Sequence, residues 1–184
     1  MTNPGGVTAV PMTYAGVRFR STLEADWAAT LDSLGIVWQY EPEAVRLPSG
    51  DLYRPDFYLP KIATWLEVKG PLGERLDKTI ALAEAVCHFP GCFDDRCNGG
   101  CSWDSYQMVV VGLAPVSGEV SSYLIDICGG FCEDGALRKC PNCGAWWWCG
   151  GGAYGCRAHR RGQCGDDDLG GSDTPPRFVR ADKS

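Results

Sequence analysis

Two short segments rich in aromatic and aliphatic residues, 54–59 (RPDFYL) and 65–70 (WLEVKG), flank the turn sequence Pro60-Lys61-Ile62-Ala63. They constrain this chain more than any other feature, because together they read as one β-hairpin. Folding the hairpin symmetrically about its turn sets Leu59 opposite Thr64, Phe57 opposite Leu66 and Asp56 opposite Glu67. Directly opposed residues bring their Cβ atoms to about 4.5–5.5 Å, a separation at which like charges destabilise a sheet. Period-2 alternation adds Lys69 to the face that carries Glu67 and turns Leu66 and Val68 to the other. Two carboxylates and an ammonium on one face make poor structure but useful chemistry. A divalent cation between the carboxylates removes their repulsion, and hard oxygen ligands are what Mg²⁺ prefers.

Around the hairpin the chain reads as an α/β core with appendages. Ser21 and Glu24 have the spacing of a capping box, and Leu23, Trp27, Leu31 and Leu34 recur at helical spacing up to Gly35. Short strands are expected over 36–40 and 44–47, with Pro48-Ser49-Gly50 as a turn. Beyond Gly70-Pro71, Leu76, Ile80, Ala83 and Cys87 share one face of a second helix; strands follow over 107–113 (QMVVVGL) and 123–127. This order predicts a helix against each side of a mixed sheet. Residues 1–14 are expected to be a flexible arm and 15–136 the core, with a Cys-rich insertion at 88–105. A Cys/Gly/Trp-rich zinc-binding module is expected over 137–164 and a disordered tail over 165–184.

No apolar run is long enough to span a membrane, and residues 1–10 lack the basic start and apolar stretch of a secretion signal. A cytoplasmic protein without membrane partners is expected. In a reducing compartment clustered cysteines more often bind metal than pair, and eleven is the wrong count for complete pairing. The net charge of −6 argues against indiscriminate coating of nucleic acid, though not against a local basic groove. Arg18, Arg20, Arg54, Arg75, Lys78 and the stretch 157–161 are the local candidates.

Cys140-Pro141-Asn142-Cys143-Gly144 has the form of a zinc knuckle, two thiolates followed by a glycine that permits the tight turn. Cys156 and His159 supply a second pair, giving C-x₂-C-x₁₂-C-x₂-H, with Cys149 and Cys164 as alternatives to His159. If strands 107–113 and 123–127 pair antiparallel, Cys97, Cys101, Cys128 and Cys132 converge as a second thiolate site; the rival grouping is Cys87, Cys92, Cys97 and Cys101. Four thiolates suit a second zinc or an iron–sulfur cluster equally, and the cluster would make a redox sensor. Trp146-Trp147-Trp148 suit either packing around a small zinc core or stacking on bases. Arg157, Arg160 and Arg161 would contact phosphate beside them. Plainer roles also exist: Glu24 as a capping partner, Lys69 as an edge-strand charge, Asp56 as a turn residue, Lys78 and Arg54 on solvated faces.

Pro55-Asp56, ten intervening residues and Glu67-Val68-Lys69, preceded by Glu24 on the first helix, resemble the signature of the PD-(D/E)XK nuclease superfamily. The words RFRSTLEADWA, YRPDFYLP and WLEVKG are similar to its small phage-type, junction-resolving or transposase-associated branches. The resemblance covers about residues 14–115, with the Cys-rich insertion as a departure. It implies a restriction-endonuclease-like mixed sheet flanked by helices, and Asp56, Glu67 and the Val68 carbonyl as ligands of Mg²⁺ or Mn²⁺. Lys69 would orient or help deprotonate the attacking water and offset charge at the scissile phosphate, and Glu24 would bind a second ion or its water. The knuckle is similar to small zinc ribbons attached to nucleases of this kind. The expectation is a Mg²⁺-dependent DNA endonuclease, structure-selective or weakly sequence-specific, giving a 5′-phosphate and a 3′-hydroxyl, with Arg54 and Lys78 among its DNA contacts. A homodimer is compatible with this reading, as is a bacterial cell or a phage-infected host. The alternative is a non-catalytic zinc-containing nucleic-acid-binding or adaptor protein on a degenerate nuclease fold.

Overall fold

A computed structural model describes residues 9–70, 76–86, 108–112, 122–125, 131–140, 143–149 and 177–182. Ala15 and Gly16, at φ +47° and +78°, form a two-residue left-handed turn between β1 (Met12–Tyr14) and β2 (Val17–Phe19). Such a turn matches strand twist, and it sets Tyr14 opposite Val17. The arm expected over 1–14 is therefore ordered from Met12 onward. Its first eight residues lie outside the described ones.

Helix α1 (Thr22–Ser33) begins and ends as its sequence signals. Ser21 is extended at the N-cap, and its hydroxyl accepts the Glu24 N–H at 3.1 Å. Past the Leu34 C-cap, Gly35 takes φ +69°; its N–H donates to the Asp32 carbonyl and that of Ile36 to the Leu31 carbonyl, both at 2.9 Å. Those paired bonds form a Schellman stop.

Next come β3 (Gln39–Tyr40), the hairpin of β4 (Val45–Arg46) and β5 (Leu52–Tyr53), and then β6 (Phe57–Leu59) and β7 (Thr64–Val68). Helix α2 (Asp77–Val86) precedes β8 (Met108–Val111), β9 (Ser122–Ile125), β10 (Phe131–Lys139) and β11 (Trp146–Cys149). One mixed sheet runs β11-β10-β9-β8-β7-β6-β3, and every pairing in it is antiparallel except β7 with β8.

Strand β8 explains why the helices lie on both sides. All four of its residues are buried, as a strand with a parallel neighbour and two covered faces requires. Val109 and Val111 join the α1 core with Ala25, Trp27, Leu31, Phe57, Leu59 and Leu66. Met108 and Val110 enter a second core with Leu47 and with Leu82 and Ala83 of α2. The predicted α/β layout holds at this level.

Two boundaries move. Strand β10 runs across the expected junction between 136 and 137, and with β11 it extends the main sheet. Leu137 and Trp148 belong to the α1 core, and the Trp146 indole N–H donates to the Leu34 carbonyl at 3.0 Å. A shift in composition had suggested a separate module, but main-chain pairing ignores composition. The expectation of a disordered tail also fails for residues 177–182, which pack on α1. Phe178 meets Trp27 edge-on at 5.3 Å, Val179 N–H donates to Thr30 Oγ1 and Ala181 N–H to Asp26 Oδ1, both at 2.9 Å. With sheet on one side and this strap on another, α1 is buried from Glu24 to Leu31. No helix among the described residues is long and apolar enough to cross a membrane.

Candidate active site

The hairpin β6–β7 has the register its sequence symmetry predicts: Leu59 opposite Thr64, Tyr58 opposite Trp65, Phe57 opposite Leu66. One step beyond the ladder come Asp56 and Glu67. Since Phe57, Leu59 and Leu66 fill the α1 core, alternation sends Asp56, Tyr58, Trp65 and Glu67 to the α2 side. Asp56 is 4% exposed and Glu67 6%. Charges so buried need partners.

The partners are unequal. Asp56 Oδ2 accepts the Val68 N–H at 2.8 Å, and Oδ1 is ion-paired with the Arg20 guanidinium. Glu67 Oε1 accepts Lys69 Nζ at 2.6 Å. Glu67 Oε2 is buried and has no hydrogen-bond partner among the described residues. An extended residue presents its N–H and C=O on one strand edge, so the Val68 carbonyl also leaves β7 toward Asp56.

Glu24 joins the site from the first turn of α1. Its Oε1 accepts the Ser21 hydroxyl at 2.9 Å, and its Oε2 accepts the Tyr40 hydroxyl at 2.5 Å and the Arg20 N–H at 3.2 Å. Capping and site roles thus coincide in this residue. Arg20 links the halves: its Nε lies 3.0 Å from Glu41 Oε1 and 3.9 Å from Glu24 Oε2. Glu41 holds φ +44°, rare for a residue with a β-carbon, and donates its N–H to the Asp56 carbonyl at 2.8 Å.

Arg20 was legible only as a basic residue beside a helix start; Glu41, Tyr40 and Tyr53 carried no signal. A residue before proline is expected to be extended, which hides the left-handed turn at Glu41. Two expected contacts stand apart from the cluster. Arg54 is exposed, and Lys78, 57% exposed, pairs with Asp51 at 3.4 Å.

Burial, then the Glu67 charge and then that of Glu24, push the Asp56 carboxyl up to about 7, against the pull of Val68 N–H and Arg20. Burial and the Glu24 hydrogen bond push Tyr40 up to about 12. Tyr53, bonded to Thr79 Oγ1 at 2.9 Å, is raised by burial and then by the charge of Glu67. Burial works against the Arg20 charge, but Asp56, Glu24 and Glu41 hold that guanidinium above its ordinary value. Counting formal charges, Glu24, Glu41, Asp56 and Glu67 face Arg20 and Lys69, four negative against two positive. The surplus of two negative charges equals one divalent cation.

The donor set fits such an ion. It offers carboxylate and carbonyl oxygens, one of them buried and without a hydrogen-bond partner among the described residues. No three His, Cys, Asp or Glu side chains form a metal-binding group among the described residues. Mg²⁺, however, is commonly held by one or two carboxylates and keeps several waters.

The knuckle cysteines lie at the β10–β11 turn. Cys143 N–H donates to Cys140 Sγ at 3.4 Å, Gly144 at φ +70° donates its N–H to the Cys140 carbonyl at 2.9 Å, and Cys140 N–H donates to Ala145 O at 2.8 Å. Cys156, His159, Arg157, Arg160 and Arg161 lie outside the described residues, as do Cys97, Cys101 and Cys128. The antiparallel pairing of β8 with β9 is present, and Cys132 sits on β10 opposite Leu124. Trp147 and Trp148, 4% and 1% exposed, are core residues in place of the base-stacking surface considered for them. Comparison of the chain with protein-family models, curated proteins and solved structures finds no match in any of the three.

Proposed function

We propose that the chain is a divalent-cation-dependent DNA endonuclease with a PD-(D/E)XK-type site on a restriction-endonuclease-like core. The observation that carries the reading is the buried Oε2 of Glu67, which has no hydrogen-bond partner among the described residues, beside Asp56 on the adjacent strand and within one stride of Lys69. A mixed sheet with a helix on each side supports the fold assignment.

Asp56, Glu67 and the Val68 carbonyl would hold Mg²⁺ or Mn²⁺. Bound there, the ion would supply water activation and charge neutralisation at the phosphate. The chain's own groups do the rest. Val68 N–H fixes the orientation of Asp56, and Lys69 has further N–H donors beyond its bond to Glu67, enough to hold a water or a phosphate oxygen. Arg54, exposed just before Pro55-Asp56, offers a phosphate contact. At the knuckle, the Cys143 N–H bond to Cys140 Sγ and the left-handed Gly144 support a structural zinc, which Cys156 and His159, outside the described residues, would complete.

The test is incubation of purified protein with branched and linear DNA in Mg²⁺ or Mn²⁺. Wild type should cleave to leave 5′-phosphates. Asp56→Asn and Glu67→Gln should be inactive, and Lys69→Ala should lose roughly 10²-fold or more. Folded wild type and variants equally inert on every DNA and RNA form would overturn the reading in favour of a nucleic-acid-binding adaptor.

A further inference from the structure

We infer that Arg20 stands where a second cation would otherwise bind, so that this site takes one divalent ion and not two. The inference rests on the nuclease reading. The positive groups divide the cluster: Lys69 serves Glu67, and Arg20 serves Asp56 Oδ1, Glu41 and Glu24. The oxygen without a hydrogen-bond partner among the described residues, Glu67 Oε2, belongs to a carboxylate outside the ion pairs of Arg20. One ion is needed there, and Arg20 covers the remainder.

The contact is built, not incidental. The acceptor side chains of Asp56 and Glu24 are 5% and 10% exposed, whereas that of Arg20 is 60% exposed. Buried carboxylates thus depend on a residue that reaches them from the surface. A guanidinium fork spans two carboxylates at fixed geometry, which a lysine ammonium does not. Glu41 meets Arg20 from a backbone held at φ +44° and anchored on the Asp56 carbonyl. Backbone strain of this kind persists where the surroundings over-determine it, and it gathers at functional sites. The Arg20 main chain is pinned as well, its N–H donating to Glu24 Oε2 at 3.2 Å and lying 3.1 Å from the Tyr40 hydroxyl.

Charge sets the stoichiometry. With Arg20 present the cluster is short of two positive charges, which one divalent ion supplies; without it the deficit is three, more than one divalent ion supplies, and Glu24, Glu41 and one oxygen of Asp56 surround the vacated position with hard donors. In two-metal nucleases the second ion stabilises the leaving oxygen. Here the Arg20 guanidinium, which can donate charge-assisted hydrogen bonds to phosphate oxygens, would supply that positive charge.

The experiment counts ions. Mn²⁺ is titrated into zinc-replete full-length protein and the free ion is read by electron paramagnetic resonance. Wild type should bind one Mn²⁺ and Arg20→Met two, with Arg20→Met/Glu41→Gln returning to one; Arg20→Lys, which keeps the charge, should bind one. Two ions on wild type, or a folded Arg20→Met that still binds one, would overturn the inference. If Arg20→Met fails to fold, Arg20→Gln takes its place, with the same expected count of two and the same overturning count of one. Failure of the underlying reading looks different: wild type binds no Mn²⁺, or Glu67→Gln keeps its ion.

Discussion

Asp56 carries a cost that a cation relieves. Burial and the neighbouring carboxylates raise its folded-state pKa to about 7 from an ordinary 3.8. Between those values the folded protein binds more protons than the unfolded chain, so this group makes the metal-free protein less stable as pH rises toward 7. At 1.36 kcal/mol per pH unit the effect is at most about 4 kcal/mol. In EDTA at pH 8, Asp56→Asn should therefore unfold at higher denaturant than wild type, with the gap closing by pH 4–5. Adding Mg²⁺ at pH 8 should reverse the order, because only the ionised carboxylate binds it. Urea curves at the two pH values check this; a wild type more stable than Asp56→Asn in EDTA at pH 8 would contradict it. The pair Asp56 and Glu67 was legible because strand alternation is strict and the flanking apolar residues leave one register. Arg20 and Glu41 were not, since they reach the site through a helix cap and a left-handed residue, neither of which has a period.

At the scale of elements, α1 depends on a segment distant in sequence. The stripe of Leu23, Trp27, Leu31 and Leu34 predicts one buried face, yet Asp26 and Thr30 are buried too, at 5% and 0% exposure. Their partners include the main-chain groups of residues 179 and 181, beside the bond from the Thr30 hydroxyl to the Asp26 carbonyl at 2.8 Å. Nothing in RFVRAD shows a periodic pattern, so the strap was invisible, and the polar Asp26 and Thr30 resembled a solvent face. Phe178→Ala should cost about 1–2 kcal/mol through its lost contact with Trp27. Deleting residues 177–184 should cost about 2–4 kcal/mol, since Asp26 loses the Ala181 N–H, Thr30 loses its bonds to the Val179 main chain and Trp27 loses Phe178. Denaturant unfolding measures both. Because Glu24 and the Arg20 N–H sit at the start of the same helix, the deletion should also weaken Mn²⁺ binding, whereas a change confined to the exposed Lys78–Asp51 pair should leave it unaltered.

For the whole molecule, the question is whether the knuckle is an appendage or part of the fold. Sheet continuity answers it: β10 and β11 bring Leu137 and Trp148 into the core that α1 shares with β6, β7 and β8, and Cys140 directly follows the last residue of β10. A zinc at that turn, if bound as proposed, secures one edge of the single sheet that carries Asp56 and Glu67. Cys143→Ser is the informative change, since Cys143 is exposed and its replacement leaves no cavity in the core. Calorimetry should show one unfolding transition in both proteins, with the variant's midpoint lower by roughly 5–10 °C for a loss of about 2–3 kcal/mol. An independent module would behave otherwise: a low transition would separate off and the main one would keep its midpoint. Mn²⁺ binding in the variant should be lost in step with the single transition, because β6, which Asp56 precedes, and β7, which carries Glu67, belong to the sheet that is melting.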